Sequence, residues 1–441
     1  MNKSLYIVAF SLAFATTGIA QNNEGQDKTV DLGTQTTTEL RKTQAVSTIY
    51  SDELDKNATT SPYNAIYGLL PGLTVMQNTS WGTDKSRLNV RGRGSLNGDT
   101  PLFVVDGFAR PIEYINLSEI ESISVLKDGA ATALWGGRGA NGVVLITTKR
   151  GMYSKKEIKV DYKFGLGLPV NQPEFADAYT YAKARNEALR YDGLQPDMDE
   201  ASFLAGGNSD LYPNVDWQKE ALRNHTTSHQ LDITFRGGGK RLRYFSVLNY
   251  KNDMGLLNSK YTDYTDRYNS QMKKYFLNLR MNLDVDITDA TKLKLNMLGM
   301  LRETKRPTTS EAALFEQIFN TPSAAFPVQT QNGLWGSNNV LKTNPIANLA
   351  DVGYYKLNQR MLQADLRLVQ DLSVLTRGLS AELAIAYDNN ATYRETAKKS
   401  FMYQTIEKGT DGEPVYTNYG NPNDELEISN KGLANQYIHA N

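Results

Sequence analysis

Residues 279–298 read LRMNLDVDITDATKLKLNML, and they leave little choice of secondary structure. Leu279, Met281, Leu283, Val285 and Ile287 fall on one face of an extended chain, with Arg280, Asn282, Asp284 and Asp286 on the other. Across the turn TDAT, Leu293, Leu295 and Met297 alternate with Lys292, Lys294 and Asn296. A strict period of two over this length predicts a hairpin of two long strands, apolar on one side and polar on the other. QLDITFRG, LRYFSVLNY, QADLRLVQDL and SAELAIAYDN repeat the pattern less regularly. A β-sandwich also alternates. Strands of ~10 residues with a fully polar second face favour a membrane barrel, whose outer band meets lipid and whose lumen is wet. Long polar inserts at residues 171–225 and 304–350 alternate with short turns, as the two ends of such a barrel would. One insert carries FADAYTYAKARNEALRYDG, which reads as a surface helix.

Composition narrows the function. Lys+Arg and Asp+Glu are 48 each, so no basic surface calls for a nucleic-acid partner. The absence of cysteine removes thiol catalysis, thiolate zinc sites, disulfide scaffolds and lipid attachment through an N-terminal cysteine. MNKSLYIVAFSLAFATTGIA, with Lys3 ahead of an apolar run and small residues at Gly18 and Ala20, reads as a secretory signal cut after Ala20. Residues 21–44 are polar and aperiodic and are expected to be flexible; TVDLGT, from Thr29 to Thr34, is the one piece with strand character.

From residue 45 the texture becomes that of a compact mixed domain. AVSTIYS, SRLNVRG, PLFVVDG, ISVLKD and GVVLITTK read as short strands, and SPYNAIYGLLPGL as a helix capped at Ser61 and stopped at Pro71-Gly72. Gly137-Arg138-Gly139-Ala140-Asn141-Gly142 spells G-x-G-x-x-G. A nucleotide fingerprint needs those glycines after a strand and opening a helix. Here Asp128 caps a short Ala-rich helix, Gly136-Gly137 closes it, and Asn141-Gly142 turns into the strand GVVLITTK. The glycines are therefore assigned to backbone geometry, as are Gly92 and Gly94.

NVRGRGSLNGDTPLFVVDG followed by EIESISVLKDGAATALWGGRGANGVVLITTKRG resembles the plug domain of the SusC/RagA family of TonB-linked outer-membrane proteins. The residues that carry the likeness include Arg91, Gly92, Arg93, Gly94, Asp106, Gly107, Lys127, Asp128, Arg138, Gly139, Asn141 and Gly142. It covers residues 45–151 closely and the alternating strands after them more loosely. The resemblance implies a mainly β protein: a small α/β plug at 45–151, then an antiparallel transmembrane β-barrel, of about 22 strands in the full-length family. It implies an importer of oligosaccharides or peptides in the cell outer membrane, covered by a SusD-like surface lipoprotein and driven through TonB by the ExbB/ExbD complex. Transport rather than catalysis follows, with no cofactor and no metal. TVDLGT (Thr29, Val30, Asp31, Leu32, Gly33, Thr34) stands where the TonB box belongs, and an extended segment can add a strand to a partner's sheet. Arg91, Arg93, Arg138, Lys127 and Asp128 are candidates to pair with carboxylates of the barrel wall, with locally paired surface charge as the alternative.

Two departures accompany the likeness. The small β-sandwich extension that precedes the TonB box in many family members is expected to be missing, because few residues separate the expected signal cut from TVDLGT. About 290 residues follow residue 151, room for roughly eight to ten alternating strands, so residues 152–441 are expected to form an incomplete barrel. The terminal NQYIHAN lacks the closing aromatic of this barrel class, and the expectation is an N-terminal part of a longer protein or a truncated gene that does not transport alone. A receptor for a siderophore or cobalamin is the alternative function, and a secreted sandwich ranks last. His225 and His229, four apart on a strand, do not share a metal. GTDGEP and NPNDELE fit no EF-hand loop.

Overall fold

The computed structural model describes residues 29–32, 36–38, 41–54, 56, 59, 61–77, 86–94, 98–153, 156–421 and 425–440. The expected signal segment 1–20, and Gly33 and Thr34 of TVDLGT, lie outside them. The first nine strands belong to the N-terminal part: β1 (Thr29–Asp31), β2 (Thr36–Thr38), β3 (Val46–Tyr50), β4 (Leu73–Met76), β5 (Arg87–Val90), β6 (Leu102–Val105), β7 (Phe108–Ala109), β8 (Ile120–Leu126) and β9 (Val143–Thr148). Five of them form a sheet in the order β3-β8-β9-β6-β7, in which only the β6–β9 pair is parallel. The run VVLIT in β9 is apolar almost without a break because both faces of this sheet are covered. Ile49, Ile123, Val144 and Ile146 pack with Leu54 and Ile66 on one side. Val46, Val104, Leu126, Val143 and Leu145 pack on the other, and there Val30 and Leu32 join them.

The expected flexible segment is thus partly structured. β1 pairs with β2 in an antiparallel ladder, and Val30 is fully buried. Two alternate apolar side chains, Val30 and Leu32, are enough to anchor the ladder to the plug sheet. The helix expected from Ser61 is also shorter than its pattern suggests. It spans Pro62–Ala65, with Ser61 at the N-cap position but making no side-chain cap bond. The chain then turns through Gly68 at φ +73°, which ends the helical run well before Pro71.

The glycine-rich stretch behaves as its order implies. The Asp128 side chain accepts from the Ala131 amide at 2.8 Å and opens the helix Gly129–Thr132. Gly136, at φ +53°, breaks the following 3-10 turns, and Gly142 enters β9 at φ +89°. A Cβ on Gly142 would stand 2.8 Å from the Val90 side chain, so both conformation and space require glycine there. Among the described residues, two carry the same left-handed conformation without being glycine, Arg91 and Asp106. Asp106 and Gly107 form the two-residue turn that pairs Val105 with Phe108.

The remaining strands are β10 (Glu157–Gly167), β11 (Thr226–Gly238), β12 (Leu242–Met254), β13 (Lys273–Asp286), β14 (Thr291–Pro307), β15 (Trp335–Ser337), β16 (Gly353–Asp371), β17 (Ser380–Lys398), β18 (Met402–Lys408), β19 (Pro414–Gly420) and β20 (Glu427–Ala440). Eight of them form one antiparallel sheet, β10-β11-β12-β13-β14-β16-β17-β20, which we call the wall. Its strand number falls within the expected range. β13 pairs with β14 across the predicted hairpin, Met281 facing Met297 and Leu283 facing Leu295. Short turns join β11 to β12, β13 to β14 and β16 to β17 at one end, and long connections cross at the other.

Burial in the wall is inverted relative to a water-soluble sheet. On β13, Asn278, Arg280 and Asn282 are 0 %, 2 % and 1 % exposed, whereas Leu277 and Leu279 are 40 % and 47 % exposed. Leu248, Leu301, Leu366, Leu383 and Ile385 continue the exposed apolar face across neighbouring strands. A soluble sandwich buries the apolar face and wets the polar one. The reverse is what a lipid-facing band with a polar inner face requires.

The inserts at the long-connection end are not merely polar loops. Trp217, Leu257, Leu314, Phe326, Trp335 and Ile346 form a second core, roofed by the helices Trp217–Ala221, Glu311–Asn320 and Pro345–Ala350. The expected surface helix spans Ala178–Tyr191, capped by Asp177, and β15, β18 and β19 add a small sheet.

Candidate functional site at the plug and wall seam

The polar face of the wall has an occupant, and it is the plug. Arg110, just after β7, reaches two wall strands at once. It donates from Nη1 to Asp365 on β16 at 2.8 Å, and from Nε to both oxygens of Asp388 on β17 at 3.1 Å. A further bond joins its Nη2 to Asp388 at 2.6 Å. Arg110 is 4 % exposed, and its guanidinium lies over the Phe108 ring at 5.2 Å. Burial works against its charge, but the two carboxylates outweigh that and hold its pKa above the ordinary arginine value. Phe108 packs against Ala384 and Ala386, whose small side chains let the plug hairpin approach β17 closely.

A second contact sits two strands away. Glu119, at the end of a 3-10 turn that Asn116 caps, accepts from Arg280 Nε at 2.5 Å and from Asn278 Nδ2 at 2.6 Å. It is fully buried, and burial pushes its carboxyl up, with Arg280 pulling it back. Asn116 donates to Asp232 on β11 at 3.2 Å, and Gln230 donates to the same carboxylate at 2.7 Å.

The seam continues toward the short-turn end. Asn282 donates to Thr148 Oγ1 and to the Lys149 carbonyl, each at 2.8 Å. Arg150 forks onto Asp284 and reaches Asn296 at 3.0 Å. From the wall side, Arg367 donates to the Asp106 carbonyl at 3.0 Å, and Arg302 donates to the Glu113 carbonyl and stacks between Tyr114 and Phe276. Most of these links are polar; the apolar ones are Phe108 on Ala384 and Ala386 and Tyr114 among Phe276, Met300 and Met361. A hydrophobic core would fuse two layers, whereas a polar seam of separable contacts lets one layer be drawn from the other with each group rehydrated as it leaves.

The sequence-chosen charges are elsewhere. Arg93 pairs with Asp99 at 3.2 Å, beside Arg87, all within the plug. Lys127 donates to Ser47 at 2.6 Å and to the Pro71 carbonyl at 3.0 Å. Asp128 serves the Ala131 and Ala45 amides. Arg91 and Arg138 stand exposed, and Asn141 holds the Gly98 carbonyl. None of the five candidates is a wall contact among the described residues; Arg110, Asn116, Glu119 and Arg150 take that role. His229 bonds the Tyr162 hydroxyl at 2.8 Å.

A small plug seated on the polar face of a wall whose other face is apolar defines the class: a plugged β-barrel receptor of the TonB-dependent kind. Residues 38–143 match the family described as the TonB-dependent Receptor Plug Domain. TonB-dependent receptor SusC of Bacteroides thetaiotaomicron is 30 % identical over 255 residues, 54 % of this chain and 24 % of that protein. TonB-dependent receptor P26 of Formosa agariphila is 28 % identical over 281 residues, 62 % of this chain and 26 % of its own length. The RagAB peptide importer in its closed-closed state superposes with a TM-score of 0.66 at 16 % identity, over 90 % of this chain and 52 % of that one, and so shares the fold. The chain is thus similar to SusC/RagA-type TonB-dependent receptors, with their plug domain at residues 38–143 and the RagA fold over nine-tenths of its length. The matches span about a quarter of the curated relatives' length.

Proposed function

We propose that the chain supplies the plug and part of the wall of an outer-membrane nutrient importer that takes up oligosaccharides or peptides and performs no catalysis. The observation that carries this reading is the polar seam. Arg110 and Glu119 hold the plug to the wall through buried ion pairs, beside two small apolar contacts, Phe108 on Ala384 and Ala386 and Tyr114 among Phe276, Met300 and Met361. A plug so held is a gate that force can open.

In this reading residues 1–20 are an export signal, 21–44 carry the TonB box, 45–151 are the plug and 152–441 belong to the barrel. The end with the long connections faces outward, where a SusD-like lipoprotein would close over the second core. Force comes from TonB with ExbB and ExbD. Thr29–Asp31 is the segment TonB would grasp, and its main chain is at present paired with Thr36–Thr38, so capture requires that ladder to peel away.

The test is uptake in the producing organism by strains carrying Val30→Pro or a deletion of residues 29–34. The reading expects unchanged protein in the outer membrane and loss of growth on one glycan or peptide source. Growth loss on an iron chelate or cobalamin instead would assign the other class of cargo.

A further inference from the structure

The outward face of the wall changes character along each strand. On β14 it runs Leu293, Leu295, Met297, Gly299, Leu301 and then Glu303 and Lys305. On β16 the register places Leu368, Leu366, Ala364 and Leu362 beside Leu293, Leu295, Met297 and Gly299, sets Arg360 opposite Leu301, and puts Asn358 and Lys356 beside Glu303 and Lys305. The apolar band therefore ends after Leu362 on β16 and after Leu301 on β14, on the side of the long connections, with Arg360 at its edge. Lys305 and Lys356 are both matched to Glu303, at 3.3 and 3.2 Å. Arg360 is exposed and has no ion pair among the described residues.

Immediately inside that boundary the apolar face is hollow. A depression of about 400 Å³ is walled by Leu248, Leu277, Leu279, Leu301 and Leu362, with Gly299 in its floor. A Cβ on Gly299 would meet nothing within 4 Å, so the missing side chain is part of what makes the hollow. Arg360 and Asn389 stand at its rim. Asn389 donates one amide hydrogen to the Tyr387 hydroxyl at 3.2 Å and keeps the other.

An apolar trough that ends at one unmatched guanidinium and one amide is complementary to an amphiphile with an anionic head. Arginine's planar fork favours a phosphate, which accepts two parallel bonds. A protein segment is a poorer fit, because this face continues into lipid on both sides. We infer that the hollow at Gly299 and Arg360 is a specific lipid site, taking one acyl chain and a head-group phosphate of an outer-leaflet lipopolysaccharide. The inference rests on the reading of the wall as an outer-membrane barrel with its long connections outside.

The experiment is native mass spectrometry of the polypeptide as the cell makes it, extracted from the outer membrane in mild detergent. Wild type is expected to retain one phosphorylated lipid A species. Arg360→Gln and Gly299→Leu are each expected to lower that retention at least tenfold, and Arg360→Lys to lower it less. Heat-modifiable migration on gels checks that each variant is folded. A second arm needs no variant: delipidated wild-type protein receives lipid A with or without its phosphates, and only the phosphorylated form is expected to rebind. Equal retention by the folded variants, equal rebinding of both lipids, or retention of a phospholipid in its place overturns the site. Failure of the protein to float with the outer membrane overturns the barrel reading and the site together.

Discussion

Glu119 of the plug and Arg280 of the wall face each other at 2.5 Å, with side chains 0 % and 2 % exposed. Removing one partner strands the other in a place water does not reach. Glu119→Ala should weaken docking of the plug by about 3–5 kcal/mol, while the double change to Met at both positions should be near neutral. Hydrogen exchange of the β8 amides in the folded protein reads this directly. Equal exchange in wild type and the single variant would remove the pair from the account.

Arg110 tests geometry rather than charge. It spans Asp365 and Asp388 through separate nitrogens, which a lysine's single ammonium cannot imitate. Arg110→Lys should therefore loosen the seam by roughly 1.5–3 kcal/mol, the scale of hydrogen bonds to charged groups. Protease nicking in residues 98–118 is the measurement, and an unchanged rate would mean that net charge alone holds this contact.

The glycines divide into two kinds. Gly142→Ala meets both φ +89° and the Val90 side chain, and should cost about 1–3 kcal/mol in plug stability. Gly137 has ordinary φ and open space, so Gly137→Ala should stay within about 0.5 kcal/mol. A thermal melt of each variant separates them. A stronger effect at Gly137 would point to a ligand contact there.

Asp128 gives the plug a pH response. The amides of Ala45 and Ala131 hold its carboxyl below its ordinary value of 3.8. The native state thus binds fewer protons than the unfolded chain in that range. Its contribution is fully present above 3.8 and is lost as pH falls through the lowered value. Asp128→Asn keeps a cap acceptor and should remove this pH dependence. Protection of the Ala45 and Ala131 amides, corrected for intrinsic rates and followed from about pH 5 to pH 2, distinguishes the two proteins. Parallel profiles would assign the acid response to other groups.

Much of the fold was legible because its signals are local. The alternation at residues 279–298 named a hairpin and its two faces, and the order of Asp128, Gly136 and Gly142 separated a backbone turn from a nucleotide loop. The seam was not legible. Arg110 lies 255 residues from Asp365, and Glu119 lies 161 residues from Arg280. Period two tells which side chains share a face but not what faces them. A signal did exist, since Arg280 and Asn278 are costly on a strand unless something polar is laid upon them. The ladder at Thr29 and the second core were missed for another reason. Their apolar residues, Val30 and Leu32, or Trp217, Leu314 and Ile346, are few per segment and acquire meaning only once distant segments are brought together.

The central claim is that the exposed leucine face of the wall lies in lipid while its polar face holds the plug. The chain has no cysteine, so single cysteines can be introduced without background. Spin labels at positions 248, 277, 279, 301 and 385, with the protein in vesicles, report access to oxygen, which partitions into lipid, against access to a nickel chelate, which stays in water. The account predicts high oxygen and low nickel access at all five positions. High nickel access across them would mean a face in water, and would contradict the membrane wall outright.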